Sequence, residues 1–123
     1  APKLEGFSAG NAGMIGAMLQ MMSEEWDRAA SRLVEENAAV RALLQRAGKV
    51  LGDATFGTAA VGDDADLRIS SLDAANDRLR RVLSVAHARV EERDGPDARA
   101  LEAAIWEELR ASVARRRISS ANF

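Results

Sequence analysis

Residues 33–44 read LVEENAAVRALL, and residues 72–83 read LDAANDRLRRVL. Both fit Leu-x-x-x-Asn-x-x-[Val/Leu]-Arg-x-[Leu/Val]-Leu, with the second copy 39 positions after the first. Carried forward, each copy continues a row of positions that alternate by four and three. The first row is Leu33, Asn37, Val40, Leu44, Ala47 and Leu51. The second is Leu72, Asn76, Leu79, Leu83, Ala86 and Val90. That period holds one face of a helix against a neighbour lying nearly along it. It predicts an all-α fold with coiled-coil-like packing.

The punctuation around the two copies predicts three helices. The first spans residues 12–51, started by Asn11 as a capping side chain and ended at Gly52. Residues 1–11 carry Gly6 and Gly10 and read as a flexible N-terminus. Residues 52–65 (GDATFGTAAVGDDA) read as the one long loop, with Phe56 and Val61 tucked over the end of the bundle. The second helix spans 66–93, with Asp64 or Asp66 as its cap. Asp94-Gly95-Pro96 breaks it sharply, because Gly permits the left-handed turn and Pro suits the first position of a helix. The third helix spans 96–117, with Leu101, Ile105, Leu109 and Val113 at intervals of four, and 118–123 is a tail. Short connections favour antiparallel neighbours, so the expected architecture is a single domain: an antiparallel three-helix bundle with one long N-terminal helix.

Composition narrows the function classes. A chain of 123 residues buries enough surface to fold without disulfides or a metal. There is no Cys, which excludes thiol catalysis, disulfides and Cys-based zinc sites. There is no Tyr and one His, and no Gly-rich phosphate loop precedes a helix, so no enzyme is expected. Net charge is −2, which favours neither nucleic acid nor an anionic membrane. No segment approaches the length of a transmembrane helix, and the apolar run 14–22 lacks the basic flank of a signal peptide, so the expected location is cytoplasmic. The excess of Ala and of Arg over Lys matches a high-GC bacterial genome.

The candidate sites follow from side-chain chemistry. Asn37 and Asn76 interrupt the two apolar rows at matched places, the position at which a polar residue sets register and partner number. The first copy resembles a leucine zipper over about two heptads. No basic region precedes it, so DNA contact is not part of what that resemblance implies. Upstream, Met14, Ile15, Met18, Leu19, Met22 and Trp26 share a wide helical face, with Met21 beside them. They read as the interface of a homodimer, since an unbroken helix over 12–51 outruns anything the other two can cover. An apolar-ligand groove built on the soft methionines is the alternative. His87 has no local catalytic motif around it and reads as a boundary residue. Ser84 stands where a Glu-x-x-His metal motif needs Glu, and the paired carboxylates read as solvated helix faces, so no metal or other cofactor is expected. Arg78, Arg80, Arg81, Arg110, Arg115, Arg116 and Arg117 form the only basic concentration, but aromatic stacking partners are lacking, so a DNA-associated regulator ranks behind self-association. The reading is a non-catalytic helical protein that associates with itself, as an accessory or scaffold subunit of a larger assembly.

Overall fold

In the computed structural model the backbone is described over residues 2–121 and the side chains over 10–117. Four helices form: α1 (Pro2–Leu51), α2 (Ala54–Ala59), α3 (Ile69–Glu91) and α4 (Pro96–Ala121). The protein is a helical bundle, with no strand among the described residues.

The element boundaries depart from expectation in four places. α1 begins at Pro2, so residues 2–11 are helical and Asn11 lies inside the helix instead of capping it. Each helical Gly costs only about 1 kcal/mol relative to Ala, and Pro fits a first turn, so these residues weaken the helix without stopping it. α4 continues through Ala121, since nothing between Arg117 and Ala121 is a helix breaker. The long loop contains α2, capped by Asp53, whose carboxylate accepts from the Thr55 backbone N–H at 3.0 Å. Hydrogen bonds from Thr55, with the Arg89 guanidinium beside it, hold the Asp53 carboxyl down at about 2. Phe56 of α2 is buried as expected, whereas Val61 is exposed. Finally, α3 starts at Ile69 with Arg68 in the cap position and no side-chain cap. Asp66 instead accepts from the Arg68 backbone N–H and the Ser71 hydroxyl, and the Arg68 side chain holds its carboxyl well below the usual range.

Both rows of the repeat are buried throughout. Their direction is the main correction. Asn76 Nδ2 donates to Asn37 Oδ1 at 3.0 Å. Thirteen residues further along α3, Arg89 Nη1 donates to Asp53 Oδ2 at 2.5 Å, and just past the end of α3 Arg93 Nη1 donates to the Val50 carbonyl at 3.1 Å. Residue numbers therefore rise together, so α1 and α3 are parallel neighbours and not antiparallel ones. The connection between them supplies the return. Gly52, at φ 63°, lets the Asp53 N–H bond the Gly48 carbonyl at 3.0 Å, which closes α1 and turns the chain back. α2 then packs so closely on Gly48 that a Cβ there would meet Asp53 O and Gly57 N at 3.2 Å. Residues 60–68 follow without helix, and Asp64 reaches Arg41 at 3.0 Å. Nine non-helical residues extend up to about 30 Å, enough to undo the roughly 27 Å that α1 advances over 33–51.

α4 closes the bundle antiparallel to both. Arg99 donates to the Val90 carbonyl at 2.9 Å near the turn, and Arg115 Nε lies 3.3 Å from Glu35 at the far end. Ala98, Leu101 and Ile105 of α4 complete a core whose α1 and α3 sides are the two repeat rows.

Candidate interaction surface

The bundle covers α1 only from about Leu33 onward. Every apolar side chain buried among the described residues lies between Leu33 and Ile105. The preceding part of α1 is an overhang of more than half its length, roughly 45 Å. Between Gly6 and Ser23 it holds no charged residue. Met14, Ile15, Met18, Leu19, Met21, Met22 and Trp26 are each 47–65% exposed. At about 100° per residue Ile15, Met18, Leu19, Met22 and Trp26 continue the helix face that carries Leu33, Val40 and Leu44, with Met14 and Met21 on its flank. The overhang is thus the core-facing side of α1 extended beyond its covering helices. Met18, Met21, Met22, Glu25 and Trp26 line a shallow open groove on it. Past Ser23 charges gather toward the bundle, where Arg28 approaches Glu24 and Glu25 at 3.7 and 3.9 Å. The opposite face carries Gly10, Gly13 and Ala17, and a Cβ at either glycine would meet open space.

The two asparagines are together, as their positions predict. Both are buried. Besides the bond to Asn76, Asn37 Nδ2 donates to the Leu72 carbonyl at 3.2 Å and lies 3.4 Å from Asp64 Oδ1. They are tied to each other inside the seam between α1 and α3.

A second polar tie escaped the sequence reading. Glu36, fully buried, receives Ser112 Oγ of α4 at 2.7 Å, Arg80 Nη1 of α3, and Arg116 Nη2 of α4 at 3.4 Å. One carboxylate therefore joins three helices. Glu36 reads in sequence as one of a surface pair with Glu35, and only the proximity of Arg80 and Ser112 reveals its role. The same contacts engage part of the basic concentration internally, since Arg115 also pairs with Glu108 at 2.6 Å. The Glu108 side chain keeps the Arg115 guanidinium above its ordinary value.

His87 packs edge-on against Trp106 of α4, with ring centres 5.0 Å apart. Its Nε2 lies 3.2 Å from Oε1 of Glu91, one turn on. Glu102 of α4 brings a third donor, and the three donor atoms all fall within 4.8 Å of one another. Sequence spacing shows the His87–Glu91 pair but not Glu102, which arrives from the antiparallel helix. Among the described residues no helix is long and apolar enough to cross a membrane. Comparison with protein-family models, with curated proteins and with solved structures finds no match to this chain.

Proposed function

We propose that this chain is a non-catalytic helical protein that acts by self-association, pairing two overhangs of α1 into a homodimer that serves as an accessory or scaffold subunit. The observation that carries the reading is the exposed apolar row from Met14 to Trp26, continuous with the face that α3 and α4 cover lower down. Six such side chains left in water forgo about 10 kcal/mol, and a patch of this kind exceeds what soluble monomers usually expose. Association itself costs about 4–15 kcal/mol, and a dimer covers this row on both copies, roughly doubling the gain, so the balance favours a dimer. The pair is antiparallel. In a parallel pair joined through this face, both copies of α3 and α4 would compete for the same space, whereas antiparallel overhangs keep the two bundles at opposite ends. The lack of Cys and Tyr and the single His support a role without catalysis.

Light scattering at tens of micromolar tests this. A mass near twice the 13.2 kDa chain is expected, falling to the monomer on Met18→Glu plus Met22→Glu. A monomeric wild-type protein overturns it. The groove of Met18, Met21, Met22 and Trp26 favours one second reading, an apolar-ligand module. That reading requires a monomer whose Trp26 fluorescence responds to a saturable apolar ligand.

A further inference from the structure

The cluster at the α3–α4 hairpin lies far from the overhang and is independent of the dimer. His87 and Glu91 are one helical turn apart on α3, and Glu102 faces them from α4. The His87 side chain is only 16% exposed. Its Nε2 is out of contact with solvent, and despite the nearby Glu91 oxygen it makes no hydrogen bond of acceptable geometry among the described residues. Trp106 packs edge-on against the ring from one side.

We propose that His87, Glu91 and Glu102 form a binding site for a divalent zinc-class ion. One imidazole nitrogen and two carboxylate oxygens make a three-ligand set, which leaves the fourth tetrahedral position to water. The imidazole selects against calcium and magnesium, which prefer oxygen donors alone. Ligands about 2.0–2.1 Å from zinc stand roughly 3.3 Å apart, so donors already within 4.8 Å need only side-chain rotation to close. Glu91 is half exposed and can make that rotation. Glu102 is held at present by Arg99 on its own helix. Arg99 is thus a built-in competitor for one ligand, and it keeps the site weak. The ion would bridge α3 to α4 beside the Asp94–Pro96 turn and stiffen that hairpin.

Titration calorimetry of the full-length protein with zinc chloride, after chelator treatment and dialysis, tests the site. One ion per chain with micromolar affinity is expected, together with a rise in melting temperature on adding zinc. His87→Ala and Glu102→Gln each weaken binding by at least about tenfold, because even outer-shell changes cost that much at metal sites. Glu102→Gln retains the shape of the side chain, so a folding defect does not obscure its effect. Arg99→Ala tightens binding, since it releases Glu102. Failure to bind at millimolar zinc overturns the site. So does binding that persists unchanged in Glu102→Gln, which would mean a lone surface imidazole holding an adventitious ion only.

Discussion

Glu36 is the residue on which most of the bundle's internal electrostatics converge, and its burial decides how its partners behave when removed. The carboxylate has no exposed surface, while Arg80 and Arg116 keep 32% and 46% of their side chains in water. The two sides of the pair are therefore unequal. An arginine that loses Glu36 can swing into solvent. The carboxylate that loses Arg80 stays buried, with Ser112 and a longer contact to Arg116 in compensation. Removing one partner of a buried pair commonly costs 3–5 kcal/mol, and the remaining partners should reduce that to about 2–3 kcal/mol for Arg80→Met. Glu36→Gln keeps the shape and the Ser112 bond, and should cost only about 1 kcal/mol. Urea unfolding of the two variants checks the order. If Glu36→Gln proves the more damaging, Glu36 contributes through its charge toward both arginines and the solvent-escape argument fails.

At the scale of elements, the parallel pairing of α1 and α3 gives the repeated sequence its meaning. With both helices running the same way, the two apolar rows face each other in register, and Asn37 meets its counterpart Asn76. The chain builds internally what a parallel two-stranded zipper builds from two molecules. Asn37→Leu should then cost about 1–3 kcal/mol, because it strands the Asn76 amide in an apolar seam. The double variant Asn37→Leu plus Asn76→Leu should recover much of that loss, since no polar group remains unpaired. A double-mutant cycle in urea measures the coupling, and additive losses would show that the two amides act separately. The buried faces of both helices were legible in the sequence because a four-three period reports which side of a helix is covered. It carries no information on direction. Direction was set by residues 60–68, whose non-helical run spans the bundle, and by the Gly52 turn that aims it. The paired asparagines held a clue, since equal offsets along both rows fit parallel strands without the mismatch that an antiparallel arrangement requires. The polar tie at Glu36 and the donor set at His87 were not legible, as each joins residues from helices whose mutual position only the fold supplies.

For the whole molecule, the uneven distribution of burial implies two parts with different roles: a bundle that folds by itself and an overhang that its core does not need. No apolar side chain buried among the described residues precedes Leu33, and the polar ties at Glu36 and Asn37 also lie within the bundle. The helices α3 and α4 reach no further up α1 than the approach of Arg115 to Glu35 and the few residues of α4 beyond it. Deleting residues 1–27 thus removes the charged flank and no buried apolar side chain of the described residues. Most helical stability in proteins comes from packing of an apolar face, so the overhang draws its order from its continuation into the bundle and from whatever covers it. The truncated chain should melt in one cooperative transition whose midpoint does not change with concentration. The full-length chain should melt at a midpoint that rises with concentration, because pairing of overhangs stabilises the folded state by mass action. Thermal melts of both chains across a hundredfold range of concentration separate the outcomes. A truncated chain that loses its cooperative transition would place essential packing before Leu33. One that still shows a concentration-dependent midpoint would move the self-association surface from α1 to the bundle itself.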